Sequence, residues 1–236
     1  RPQPLRTFFC PDGVWYPIME LTFLGHACVL LSGTKSVLID PFIPDGVLPK
    51  NPDMVAVTHG HADHLGEAVR LGRPTVAINE VAKYLKEQGV PAEGMNHGGA
   101  ITLDGVVFRM TPAIHSSWIE EAGPGYNGGG CAGFVIGMDD IQVYHAGDTA
   151  LFSDMKLIGE LYHPDVALLP IGGRFTMAPE EAMIAARFIG APLVIPIHYN
   201  TWPVIRQDPV PFKAALERTT DIRVAILEPG ETITVP

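Results

Sequence analysis

Thr58-His59-Gly60-His61-Ala62-Asp63-His64-Leu65-Gly66 packs three histidines and one aspartate into six positions. Imidazole and carboxylate are the donors that borderline divalent cations such as zinc prefer. The spacing adds to the composition. Residues two apart do not share a helix face, because faces recur at three to four positions. The segment therefore reads as a loop wrapped around a cation. Four donors from one short loop, with Asp63 and His64 pointing different ways, suit two adjacent ions better than one. Three further donors sit where strand-like apolar runs end. His115 follows Val106 to Ile114, Asp148 follows Ile141 to Tyr144 in the segment His145-Ala146-Gly147-Asp148-Thr149, and His198 closes Pro192 to Ile197. Strand ends that face a common rim are where α/β scaffolds build their sites.

The elements that must position these residues follow from the apolar pattern. Glu20 to Asp40 reads as a strand meander broken at Gly25 and Ser32-Gly33, and Asp53 to Thr58 as a strand leading into the histidine loop. Leu65 to Leu71 reads as a short helix closed by Gly72, Thr75 to Ile78 as a strand, and Glu80 to Gln88 as a helix stopped by Gly89. Strands are then expected over Ile101 to Met110, Gly133 to Met138 and Ile141 to Tyr144, with Asp139-Asp140 as a tight hairpin turn. Helices over Ser153 to Leu161, Pro179 to Phe188 and Pro211 to Arg218 alternate with strands Val166 to Leu169 and Leu193 to Ile197. Arg223 to Leu227 and Thr232 to Val235 close the sheet. Pattern alone gives a mixed α/β domain of two strand runs, each followed by helices.

At 236 residues and 47% hydrophobic content, the chain can bury one sizeable core. A net charge of −10 argues against a broad nucleic-acid surface, which needs clustered Lys and Arg. Cys10, Cys28 and Cys131 form no Cys-x-x-Cys pair and no disulfide framework, so a cytoplasmic location is the expectation. Cys28 reads as core, and Cys131 as a passive neighbour of the site. No apolar run approaches the eighteen or so residues that span a bilayer. Residues 1–18 are proline-rich and read as an N-terminal extension or a non-native start before Met19, with a single domain over 19–236. Five glycines between Gly123 and Gly130 could form a mobile lid beside His115 or a plain hairpin loop.

From about Met19 onward the chain resembles the metallo-β-lactamase superfamily, and within it the small metal-dependent hydrolases similar to ascorbate-phosphate lactonase. The resemblance rests on Thr22-Phe23-Leu24-Gly25-His26-Ala27, Leu38-Ile39-Asp40-Pro41-Phe42, the His59 loop and Ile114-His115-Ser116-Ser117. It continues through His145 to Thr149, Pro170-Ile171-Gly172-Gly173 and Pro196 to Pro203. It implies a four-layer αββα sandwich of two mixed β-sheets flanked by helices. It also implies two divalent metal ions, zinc first, with manganese or iron also compatible. His59, His61 and His115 go on one ion, Asp63, His64 and His198 on the other, and Asp148 bridges. Asp40 is expected to orient a ligand from behind, as partners of metal-bound histidines do.

Such a pair lowers the pKa of bound water to about 7, so hydroxide exists at neutral pH without a serine or cysteine nucleophile. Asp63 could also hold or accept the proton. His26 and His145 are candidates for assisting the leaving group or for structural hydrogen bonding. The lactonase-like branch implies cleavage of an ester or lactone of a small metabolite, phosphorylated or not, with Arg174, Tyr199 and Asn200 as candidate substrate contacts. The alternatives are a ribonuclease Z-like phosphodiesterase, against which the acidic charge stands, and a metal-binding protein whose catalysis has lapsed. The partners expected are a small-molecule substrate and a homo-oligomeric copy, not a membrane or nucleic acid.

Overall fold

The computed structural model describes residues 7–9, 15–44, 46, 49, 51–120 and 126–235. Thr7–Phe9 (β1) and Trp15–Pro17 (β2) pair as an antiparallel ribbon. The remainder of the expected extension before Ile18, and residues 121–125 of the glycine-rich segment, lie outside the described residues.

From Glu20 the chain builds one sheet and then a second of the same design. The first comprises Glu20–Gly25 (β3), Cys28–Ser32 (β4), Ser36–Ile39 (β5), Met54–Val57 (β6), Thr75–Ile78 (β7) and Ala92–Met95 (β8). The second comprises Ala100–Leu103 (β9), Val106–Pro112 (β10), Ala132–Met138 (β11), Ile141–His145 (β12), Val166–Pro170 (β13), Leu193–Ile197 (β14) and Arg223–Val224 (β15). Thr232–Thr234 (β16) returns to the first sheet beside β3, giving seven strands in each. In each sheet an antiparallel meander passes into parallel strands, from β5 onward in the first and from β12 onward in the second.

Side-chain alternation assigns each strand face to a layer. On β11, Phe134, Ile136 and Met138 enter the core shared by the two sheets, while Val135 faces the helices. On β13, Val166 and Leu168 join the inter-sheet core, and Ala167 and Leu169 the helical side. Strands covered on both faces need continuous apolar sequence, which is what Val166-Ala167-Leu168-Leu169 supplies. Outside the first sheet lies Asn79–Glu87 (α3), and outside the second lie Met155–Tyr162 (α4), Pro179–Ile189 (α5) and Pro209–Thr219 (α6). The layers are αββα, two mixed sheets flanked by helices.

Several details depart from the sequence expectation or sharpen it. The single strand expected over Ile101 to Met110 is two, β9 and β10, joined by an Asp104-Gly105 turn with both residues at positive φ. The single helix expected over Leu65 to Leu71 is two short ones, Ala62–Leu65 (α1) and Ala68–Leu71 (α2). Gly66 separates them at φ +45°, where an added Cβ would stand 2.3 Å from the Pro41 carbonyl oxygen. Asp139 and Asp140 both adopt positive φ, 54° and 63°, and link β11 to β12 in a two-residue turn that matches strand twist. β8 was not expected, since Ala-Glu-Gly-Met carries no β-branched residue.

No helix among the described residues is long and apolar enough to cross a membrane.

Candidate metal centre

His26, Asp40, His59, His115, Asp148 and His198 all follow the C-terminal ends of strands, β3, β5, β6, β10, β12 and β14 respectively. Since β3, β5 and β6 run one way within their sheet, as do β10, β12 and β14 in theirs, the residues gather at one rim of the sandwich. The two rims are tied by backbone. His198 N donates to His26 O at 2.7 Å, and Ala132 N donates to Thr58 O at 3.1 Å. His26, Asp40 and His198 hold left-handed backbone, φ 55°, 46° and 55°. That conformation is uncommon outside glycine and is kept where surrounding contacts over-determine it.

The histidines and aspartates of the sequence motif converge. His59, His61 and His115 each place a ring nitrogen within 4.8 Å of the others. So do His26, Asp63, His64 and His198 with one ligand atom apiece, and His59, His64 and Asp148 form a third such group. His198 Nε2 lies 3.0 Å and His115 Nε2 3.6 Å from Asp148 Oδ2, while His64 Nε2 lies 3.4 Å from Asp148 Oδ1. Two strand-end contacts set His115 beside Asp148. Ile114 N donates to Thr149 Oγ1 at 3.0 Å, and Ala150 N donates to Ile114 O at 3.0 Å.

Hydrogen bonds behind the cluster fix which ring nitrogens face inward. Asp40 is fully buried; its Oδ1 accepts from Thr58 N, and its Oδ2 accepts from Thr58 Oγ1 and from His64 Nδ1 at 2.7 Å. In the neutral ring that cation binding requires, the proton therefore sits on Nδ1 and Nε2 faces Asp148. Because Thr58 Oγ1 gives its proton to Asp40, it accepts from His59 Nδ1 at 3.1 Å. His59 Nε2 is thus left as an acceptor, 3.0 Å from His61 Nδ1. One buried carboxylate sets two tautomers, the arrangement that tunes metal-binding histidines.

His26 lies deeper. Its Nε2 is 3.2 Å from Asp63 Oδ2 and its Nδ1 is 2.8 Å from Thr201 Oγ1. Since a carboxylate can only accept, His26 donates through Nε2 and takes a bond from the Thr201 hydroxyl at Nδ1. Burial lowers its pKa to about 4, so the ring is neutral near pH 7. Asp63 stays ionised, its pKa held at about 2: burial opposes this, but the His26 hydrogen bond and nearby imidazoles outweigh it. His145 is buried with both nitrogens engaged by backbone. Nε2 donates to Ala27 O at 2.9 Å and Nδ1 accepts from Gly147 N at 3.1 Å.

Burial lowers the pKa of His59, His61 and His115, which keeps their lone pairs free of protons. His64 is the exception. Burial opposes its charge, yet the Asp148 and Asp40 carboxylates push its pKa well above the ordinary range. Asp148 is held well below the usual carboxylate range; burial opposes this, and His64 and His198 outweigh it.

A divalent cation fits this donor set. His64 Nε2, Asp148 Oδ1 and both ring nitrogens of His198 are buried without a hydrogen-bond partner among the described residues. Buried polar atoms are rarely left so. Two donors on one tetrahedral zinc, each about 2.0–2.1 Å from it, stand roughly 3.3 Å apart. The separations of 3.0–3.6 Å around Asp148 bracket that value.

The remaining candidates lie around this core. Cys131 is buried beneath it, with Sγ donating to Asp148 O at 3.3 Å. Tyr199 is half-buried and Asn200 exposed, and both line a cleft that His26 also borders. Arg174 is exposed, with its guanidinium 5.6 Å from the Phe175 ring centroid. No hydrogen bond or ion pair among the described residues joins it to the cluster. Sequence reasoning gave no role to Thr58, Thr201 or Ser117, although all three stand inside the quoted motifs. Ser117 Oγ accepts from Gly60 N at 3.1 Å and so ties the histidine loop to the segment after His115. The available signal is a hydroxyl residue next to, or within three positions of, a histidine at a strand end.

Comparison with known proteins agrees with this geometry. A model of the β-lactamase superfamily domain matches residues 31–199. A "UPF0173 metal-dependent hydrolase" of Methanoculleus marisnigri is 69% identical over 217 residues, covering 92% of this chain and 97% of its own length. A protein of the same name from Methanoregula boonei is 64% identical over 219 residues, with coverage of 92% and 99%. Among solved structures, Igni18, a metallo hydrolase from the hyperthermophilic archaeon Ignicoccus hospitalis, superposes with a TM-score of 0.84. It is 39% identical, over 92% of this chain and 98% of that one.

Proposed function

The chain belongs to the metallo-β-lactamase superfamily and is a metal-dependent hydrolase, and on that premise we propose that it cleaves an ester or lactone of a small molecule at a two-cation centre. The observation that carries the two-cation reading is the grouping of donors. His59, His61 and His115 form one set, Asp63, His64 and His198 belong to another, and Asp148 groups with one histidine from each. We assign the first set to one ion, the second to the other, and Asp148 to both. The donors suit zinc first, with manganese or iron also compatible. Cations held there would supply Lewis acidity, which lowers the pKa of water to about 7 and polarises an attacked bond.

The protein groups supply position and protons. Asp40 and Thr58 hold His64 and His59 with their Nε2 lone pairs inward. Asp63 stays ionised and accepts a hydrogen bond from His26 Nε2 through Oδ2, so Asp63 is the proton acceptor we assign and His26, engaged at both nitrogens, orients it. His145 has neither nitrogen free, so its role is to hold the turn that presents Asp148. Tyr199 and Asn200, on the cleft wall, are the substrate contacts we favour, and we assign none to Arg174.

The test is turnover by zinc- or manganese-loaded protein on a lactone, an aryl ester and bis-p-nitrophenyl phosphate. Chelator-sensitive cleavage of the ester or lactone is expected. Cleavage of the phosphodiester alone would replace this reading with a phosphodiesterase. Metal binding with no turnover would reduce the protein to a metal-binding one.

A further inference from the structure

A cleft of about 680 Å³ adjoins the metal centre, within the range of roughly 300–1,000 Å³ typical of small-molecule pockets. Leu24, Ile43, Val210 and Ile226 give it apolar walls. Val210, at the start of α6, is 60% exposed, an apolar side chain left uncovered. None of the described lining residues is a lysine or arginine. The one ionisable acid among them, Glu228, is exposed, and its backbone N–H donates to the Glu231 carboxylate at 3.1 Å, which places a second acid beside it.

Cleft and centre share a wall. His26 and Thr201 line the cleft, and the same two residues are joined by the 2.8 Å bond that sets the His26 ring against Asp63. Phe42 and Trp202, the chain neighbours of the lining residues Ile43 and Thr201, pack on the His26 ring with centroids 5.6 and 4.8 Å away. His26, flanked by these two rings, therefore spans from Asp63 to the cleft. Tyr199 faces it as a neutral hydroxyl, its pKa raised to about 12 by burial and by Glu228.

We propose that this cleft receives an uncharged, apolar arm of the hydrolysed molecule and turns away an arm that ends in an anion. The inference rests on the hydrolase reading above and names its substrate class. An anionic end would lose its water against the apolar side chains, meet no lysine or arginine among the described lining residues and face Glu228. A methylene chain would lose only unfavourable contact with water.

The experiment uses full-length, zinc-loaded protein and p-nitrophenyl esters of acetate, hexanoate and adipate, the last ending in a free carboxylate. Hexanoate should exceed both acetate and adipate in kcat/KM by about tenfold or more, the scale on which an apolar pocket discriminates. Val210→Trp should shrink the hexanoate-to-acetate ratio, and Glu228→Lys should raise adipate relative to hexanoate, each by about fivefold or more. Adipate matching hexanoate, or ratios unmoved by both variants, would overturn the proposal. An independent arm follows backbone amides as 2-octanone or 7-oxooctanoate is added to the same zinc protein. The ketone should shift Gly25, Val210 and Ile226, and the keto acid should shift them far less. If no ester is cut but the ketone shifts those amides, the cleft assignment stands and the reaction assigned above falls. If esters are cut regardless of chain and the ketone leaves those amides unmoved, the cleft assignment falls and the hydrolase stands.

Discussion

Asp40 Oδ2 accepts a 2.7 Å hydrogen bond from His64 Nδ1 with both side chains wholly buried. The bond joins a residue after β5 to one in α1, and it decides which nitrogen of His64 is free to bind a cation. Removing it leaves the ligand in place but lets its ring turn or take the wrong tautomer. Asp40→Asn should weaken zinc binding by about 10- to 100-fold, the usual effect of losing such a partner. Competition with a chelator of known affinity measures this, and unchanged affinity would refute the tautomer-setting role.

Thr201 does for His26 what Asp40 does for His64, with a neutral hydroxyl. Thr201→Val should retain the metal content of the wild-type chain, because no proposed ligand is lost, while kcat falls by about tenfold, toward the low end of what a positioned proton-transfer group contributes. Metal analysis beside steady-state kinetics separates the two effects. Loss of metal with unaltered kcat per bound ion would instead make Thr201 part of the binding shell.

Gly147 stands between His145 and Asp148 at φ +62°, where an added Cβ would come within 2.5 Å of Ala132 O. Gly147→Ala should destabilise the fold by more than about 1 kcal/mol, since it combines a strained backbone with a backbone clash. Metal occupancy should fall with it, because the turn aims Asp148. Urea denaturation and elemental analysis of the variant check both parts.

Chelator-treated protein should be most stable near neutral pH. Burial lowers the pKa of His59, His61, His115 and His145, and takes that of His26 to about 4, against about 6.5 in the unfolded chain. Between those values the unfolded state binds more protons, so stability rises with pH. His64 acts in the opposite sense above about 6.5, because its raised pKa contributes stability that is lost as pH climbs through the folded value. The urea midpoint should be lower at about pH 5 than at about 6.5, and His26→Gln should narrow the gap. A midpoint that is equal or higher at the acid end would contradict the assignment of neutral, buried imidazoles.

Much of this was readable in the chain because its signals are local. Val166-Ala167-Leu168-Leu169 announces a strand buried on both faces, and Asp139-Asp140 announces a tight turn. The His59 loop declares metal chemistry by composition. β8 escaped because Ala-Glu-Gly-Met joins the sheet through its neighbour β7 and not through its own propensity. The break between α1 and α2 escaped because it depends on the close approach of Gly66 to Pro41, twenty-five positions earlier. Thr201 and His26 are 175 residues apart, and no spacing rule reports a hydrogen bond of that separation. Sequence names the donors. Only the closed sandwich shows which nitrogen each one presents, and that a cleft free of lysine and arginine among its described residues borders them.

The proposed centre holds two cations with Asp148 shared between them. The direct measurement is zinc stoichiometry of the wild-type chain and of Asp148→Ala, by elemental analysis after saturation and removal of excess metal. Two ions per wild-type chain, with loss of tight binding of the second ion and of turnover in the variant, is the predicted result. One ion per wild-type chain, or a variant that keeps both ions and full turnover, would contradict it.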